Sequence, residues 1–422
     1  MKSAALFLTA ALGAASVYAG PQDHLPPVPP WRGASEALIV AADHPWITPA
    51  EKTGLTDTPN YDDTLTWLRK LAAASRLLSL HEFGRTAQGR PLVAVLASRA
   101  PTRTPDGLRA HGKPTLLAQA GIHAGEIDGK DAGLMLLRDL TVGGKTALLD
   151  AANMLFIPAL NADGHERISE WNRPNQRGPV HMGWRTTAQN LNLNRDYVKA
   201  DAPEMRAVLT LIHAWSPSLY LDLHVTDGMD YQYDVTYTYH GTHDGLAHSP
   251  QIARWLEHTW HPAIAGALKA QGHIPLNLYI DPVDRRDFTR GLDTGHAPPR
   301  LSHGYGDVRH LPTVLVETHS LKPYRQRVLG TYVLMATALE VLGREAAHVR
   351  AAIAADQAAR PAQVIVNWKP GGPRREIDFL GIDSERYASP ASGTTEVRWT
   401  GQPKRFPKLP VETDQPGITV SR

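Results

Sequence analysis

The segment GIHAGEIDG sets His123 and Glu126 in an H-x-x-E spacing, where an apolar stretch ends and a helical pattern begins. Imidazole nitrogen and carboxylate oxygen suit zinc, and ligands of α/β sheets gather at strand ends. With 20 His in the chain, chance alone supplies about one such spacing, so the pair carries little by itself. A third donor has to come from another strand end. LYLDLH, the best β-run of the second half, closes on His224. Two imidazoles and one carboxylate leave a position open on the metal, the arrangement of catalytic zinc. Taken singly, each histidine is equally a hydrogen-bonded residue at a strand terminus. Glu317 ends the apolar run TVLVE, where a buried carboxylate is costly unless it is paired or its pKa is raised. A raised pKa suits a general base, whereas Lys322 and Arg325 are near enough in sequence to be plain ion-pair partners.

Such residues need a sheet to hold them. Short apolar runs at 116–120, 154–158, 219–224 and 313–317 read as buried strands. Helical periodicity at 129–140, 203–214, 251–268 and 325–342 separates or follows them, and this alternation makes the fold α/β. Upstream, Asn60 is a plausible N-cap for a helix carrying Leu65, Leu68 and Leu71, and 77–86 with 91–98 flank AQGR as a hairpin. The stretches 161–201 and 225–312 exceed ordinary connection length, as loops that build a site often do.

Composition narrows the chemistry further. Cysteine is absent, which removes disulfides, thiolate metal sites and thiol nucleophiles, so any metal must be held by His, Asp or Glu. Lys and Arg number 44 against 42 Asp and Glu, and the formal charge of +2 gives no electrostatic case for nucleic acid or an anionic membrane. The first residues run Lys2, then an apolar stretch too short to span a bilayer, then Val17-Tyr18-Ala19, the order of a bacterial secretory signal cleaved after Ala19. The expectation is an exported protein, periplasmic or secreted, with no membrane span after cleavage. Residues 20–58, rich in Pro, read as an irregular arm. Residues 346–422 change to Pro, Gly and short alternations (VIVNW, REIDFLGI, TEVRW), a separate extension with some β-strand. It ends without a closing element, as a truncated or processed chain would.

Taken together, these residues resemble the zinc carboxypeptidases of the carboxypeptidase A type. The landmarks occur in the family's order over roughly residues 60–345: the hairpin ending in QGRPL, His123 and Glu126, the N-x-D-G turn at 161–164, Asn194 with Arg195, His224 and Glu317. The resemblance implies a mixed, mainly parallel sheet with helices on both faces, filling 59–345. It further implies one Zn²⁺ per chain on His123, Glu126 and His224, Glu317 as general base, and Asn194 with Arg195 gripping a terminal carboxylate. An arginine that stabilises the oxyanion belongs between the turn and the Asn-Arg pair. Arg173, Arg177 and Arg185 lie there, and distance from the turn favours Arg177. A loop tyrosine that closes over substrate would be Tyr305, in HGYGDVRH. Where relatives carry an Asp that orients a zinc-bound His, this chain has Asn192, and Asp222 on the face of His224 either compensates or lines the pocket.

The activity so implied is hydrolysis of the last peptide bond of a peptide with a free C-terminal carboxylate, cell-wall peptides among the candidates. An aspartoacylase-like deacylase shares the two-His, two-Glu plan. From another class comes a non-catalytic peptide- or peptidoglycan-binding protein on the same scaffold, against which the intact ligand and base positions stand.

Overall fold

Largely apolar runs become the central strands in the computed structural model, which describes residues 20–241 and 246–421; the expected signal segment 1–19 lies outside the described residues. Strands β1 (Leu78–Arg85), β2 (Pro91–Ala97), β3 (Thr115–Ala120), β4 (Asn153–Ile157), β5 (Leu219–Val225), β6 (Val235–Thr238), β7 (Pro275–Asn277), β8 (Leu292–Thr294) and β9 (Thr313–Thr318) follow in chain order. All but β8 form one sheet in the order β1-β2-β4-β3-β5-β9-β6-β7. Its middle, β4-β3-β5-β9, is parallel, while β2 and β6 join it antiparallel on either side. Every residue of β3, β4, β5 and β9 is buried, because helices cover both faces.

Period-two alternation divides the core. Leu116 and Ala118 of β3, Met154 and Phe156 of β4, and Leu219, Leu221 and Leu223 of β5 face one cluster, with the helices Tyr61–Ala74, Asp128–Thr141 and Tyr324–Arg344. Leu117, Leu155, Ile157 and Tyr220 face the other, under the helix Pro203–Trp215. Asp222 and His224 therefore share the second face. The Asn60 side chain accepts from Asp63 N at 2.8 Å, the cap that the sequence suggests. Gly133 lets the helix Asp128–Thr141 lie directly on β4, since a Cβ there would overlap the Phe156 ring.

Residues 20–58 carry three short helical turns, Pro21–His24, Ala34–Leu38 and Pro49–Lys52, and are tied down at intervals: Trp31 Nε1 donates to Gly272 O at 2.9 Å, and Glu51 pairs with buried Arg138 at 2.7 Å. Two expectations change. Besides the helical segment expected at 251–268, the 225–312 stretch contains β6, β7 and β8, which the sequence does not mark because strands of three or four residues have no alternation to read and pair with partners distant in sequence. The C-terminal extension begins with a helix, Ala346–Ala358, and continues as two long antiparallel strands, β10 (Gln363–Ala388) and β11 (Thr395–Ser421). This ribbon is not detached. β11 pairs with β8, Gln232 N donates to Leu380 O at 2.9 Å, and Phe379, Leu409 and Val411 pack with Tyr231, Tyr233 and Phe288.

Candidate functional site

Three parallel strands end at one edge, and the chemistry collects there. His123 lies three residues beyond β3, while His224 of β5 and Glu317 of β9 stand opposite each other in register. One donor atom each of His123, Glu126 and His224 lies within 4.8 Å of the others, and all three side chains are buried. Glu126 bridges the pair, with Oε1 3.1 Å from His123 Nδ1 and Oε2 2.9 Å from His224 Nδ1. The far nitrogens are held from behind: His123 Nε2 is 3.0 Å from Asn192 Oδ1, and His224 Nε2 is 2.8 Å from Asp222 Oδ2. Two Nδ1 atoms and a carboxylate converge, each ring oriented by an acceptor on its other side. That donor set fits Zn²⁺. The open question over Asn192 and Asp222 resolves into a division: the amide orients His123 and the carboxylate orients His224.

Charge around this group is balanced locally. Burial pushes the Glu126 carboxyl up, but His123 and Arg173 outweigh it and hold the group ionised, well below the usual carboxylate range. Arg173 Nη1 donates to Glu126 at 2.8 Å and Arg185 Nη1 at 3.0 Å. Against burial, Asp222 and Glu126 raise His224 well above its ordinary value. Glu317 is different in kind. Its Oε2 is buried with no hydrogen-bond partner. Burial pushes the carboxyl up to about 8, with Glu126 and Asp227 adding to the push and His224 opposing it. The plain ion-pair reading fails, because Lys322 goes to Asp230 at 3.3 Å and Arg325 faces Glu36 at 3.9 Å.

All four residues open on a cavity of about 500 Å³. Asn194 and Arg195 line it too, on the 3₁₀ turn Leu193–Arg195. Asn194 Oδ1 accepts from Ser302 N at 3.1 Å, and Arg195 is exposed in the cleft with one hydrogen bond, to Asn194 O at 2.6 Å. Partial burial and the nearby Arg185 and Arg300 push its pKa down, the signature of a cation short of an anion.

Two expected residues are elsewhere. Arg177 does not line the cleft: its guanidinium donates to the carbonyls of Pro26 and Leu321, and Arg185 stands in the cleft instead. Distance along a loop misled here, since 161–201 folds back on itself. Tyr305 sits on the helix Ser302–Val308, partly buried against the core with its ring 5.4 Å from Tyr197, and does not line the cleft. Three tyrosines line the cleft, Tyr231, Tyr239 and Tyr279; the first two are buried, and Tyr279, just past β7, is 42% exposed. Burial and the neighbouring Glu317 and Asp227 raise its phenol, so it remains a hydrogen-bond donor. Its only sequence signal is the short alternation NLYID.

A family model described as zinc carboxypeptidase matches residues 64–269, which include His123, Glu126, Asn194, Arg195 and His224 but stop short of Glu317. Carboxypeptidase 2 of Trichophyton rubrum is 28% identical over 175 residues, 40% of this chain and 29% of that protein. An inactive metallocarboxypeptidase of Schizosaccharomyces pombe is 30% identical over 145 residues, 32% of this chain and 29% of that protein. The matches thus span less than a third of these relatives' length. Among solved structures, a metallo-carboxypeptidase from Pseudomonas aeruginosa, bound to (2-guanidinoethylmercapto)succinic acid, superposes with a TM-score of 0.50 at 17% identity, over 69% of this chain and 70% of that one. At that identity the likeness is one of fold.

Proposed function

We propose that this chain, which matches the zinc carboxypeptidase model over residues 64–269, is an exported metallocarboxypeptidase that removes the last residue of a peptide with a free C-terminal carboxylate. The observation that carries the reading is Glu317, an unpaired buried carboxyl facing the cleft opposite His224, beyond the segment that the family match covers. His123, Glu126 and His224 would hold one Zn²⁺, which when bound supplies an acidified water and polarises the scissile carbonyl. Glu317, with its pKa pushed up to about 8, takes a proton from water in the cleft and returns it to the leaving amine. Arg195 offers two parallel N–H groups to the terminal carboxylate, and Asn194 lies beside it. Arg185, fixed on one side by Glu126 and open to the cleft on the other, is placed to meet negative charge developing on the carbonyl oxygen. Export rests on the leader-like first 19 residues, and cell-wall peptides are then substrates within reach.

The test is a pair of peptides that differ only at the C-terminus. The free acid should lose its last residue, and the amidated form should be cleaved at least tenfold more slowly, because the anion that Arg195 holds is gone. Arg195→Ala should shrink that difference by weakening the free acid alone. Equal cleavage of both peptides, or cuts at internal bonds, would point to an endopeptidase. Hydrolysis of acyl-amino acids with no action on peptides would make the protein a deacylase.

A further inference from the structure

A second cluster of metal-binding side chains lies on the wall of the same cleft, apart from the His123 group. His240 follows β6, His296 follows β8, and Asp307 is on the helix Ser302–Val308. One donor atom of each lies within 4.8 Å of the others, the same convergence as in the His123 group. The side chain of His240 is only 6% exposed, and neither ring nitrogen has a hydrogen-bond partner. Its Nδ1 stops 3.6 Å from Asp307 Oδ2, too far for a hydrogen bond, and its ring meets His296 edge to face with centroids 3.7 Å apart. A buried imidazole with both nitrogens idle is unfavourable, and turning it toward another imidazole does not relieve that. An ion between the rings and the carboxylate would.

We propose that His240, His296 and Asp307 form a second metal site, which takes Zn²⁺ or a similar borderline divalent transition ion. Two imidazoles and one carboxylate select such ions over Mg²⁺ and Ca²⁺, which prefer all-oxygen shells. The supporting contacts are those that orient ligands. Asp307 accepts from His248 N at 2.8 Å and from Ser249 N at 3.0 Å, which leaves carboxylate lone pairs free. His296 is stacked on Trp368 of β10, with centroids 4.0 Å apart and planes 16° apart, and its backbone N donates to Asp414 of β11 at 2.8 Å. The ion would thus join the end of β6, the loop after β8 and the helix Ser302–Val308, and through His296 it would tie them to the C-terminal ribbon. Since His240 and His296 line the cavity, its open coordination position faces the cleft.

The experiment counts ions. The full chain is stripped with chelator, reloaded with excess ZnCl₂, passed through gel filtration in metal-free buffer and assayed by plasma mass spectrometry. Two equivalents are expected in the unaltered protein, one in His240→Ala, one in His296→Gln and one in the double variant His123→Ala, His224→Ala. A single equivalent in the unaltered protein overturns the proposal, as do two equivalents in His296→Gln. His296 is partly exposed on a loop, so that variant and the unaltered protein decide the case whether or not His240→Ala folds. A single ion lost with His123 and His224, in an active peptidase, refutes only the second site. Two ions in a protein inactive on peptides refute only the proposed function.

Discussion

At the scale of single residues, Asn192 and Asp222 give the two imidazoles unequal support. A carboxylate behind His224 raises its basicity, whereas the Asn192 amide accepts from His123 without adding charge. Removing the amide leaves the His123 ring free to turn, so Asn192→Ala should weaken zinc retention at that centre about 10–100-fold, read by competition with a chelator of known affinity. Unchanged retention would mean that packing alone fixes the ring. Glu317 makes the complementary case. Glu317→Gln keeps shape and burial but cannot accept a proton, so turnover should fall about 10²–10⁴-fold while the zinc content of the His123 centre stays the same. Loss of that ion along with the activity would make Glu317 a structural partner. Asp222 and Glu317 were readable as carboxylates in strand-like apolar runs, and Asn192 only through the family resemblance. Arg185 and Tyr279 were not readable, because nothing in a loop sequence says which arginine or tyrosine the chain turns inward.

At the scale of elements, the site depends on where strands stop. Alternation along β5 is strict, with Leu219, Leu221 and Leu223 on one face and Tyr220 on the other, which is why Asp222 and His224 were assignable to one face before any coordinates. β6, β7 and β8, with three or four residues each, gave no such period, and their pairings join residues far apart in the chain. The helix Asp128–Thr141 follows the His123–Glu126 turn directly, so its seat on β4 sets the position of that turn. Gly133 permits the seat. Gly133→Ala should destabilise the fold by about 1–3 kcal/mol despite alanine's better helix propensity, because the added methyl meets the Phe156 ring. A denaturant midpoint equal to or above that of the unaltered protein would show that helix and sheet separate freely.

At the scale of the whole molecule, the C-terminal ribbon adds one residue to the wall of the cleft. Arg375 of β10 lines the cavity, and Phe379 is fully buried against Tyr231 and Tyr233. Its short alternations suggested strands, but their docking depends on aromatic partners about 150 residues upstream, which no local pattern encodes. One consequence of so much packing is histidine held neutral deep in the fold. Burial lowers His319 to about 4 even though Asp230 accepts from it, and burial with Lys130 beside it holds His165 well below its ordinary value. The sign follows from proton uptake. The unfolded chain takes these protons near pH 6.5 and the folded chain only at lower pH, so the unfolded state binds more protons in between and stability falls as pH falls. For His319 alone the loss from pH 6.5 down to about 4 is on the order of 3 kcal/mol. The thermal midpoint should therefore drop steeply over that interval, and His319→Gln should flatten part of the slope. A midpoint flat from pH 6.5 to 4.5, or a slope untouched in that variant, would mean that His319 takes up its proton in the folded chain as readily as in the unfolded one.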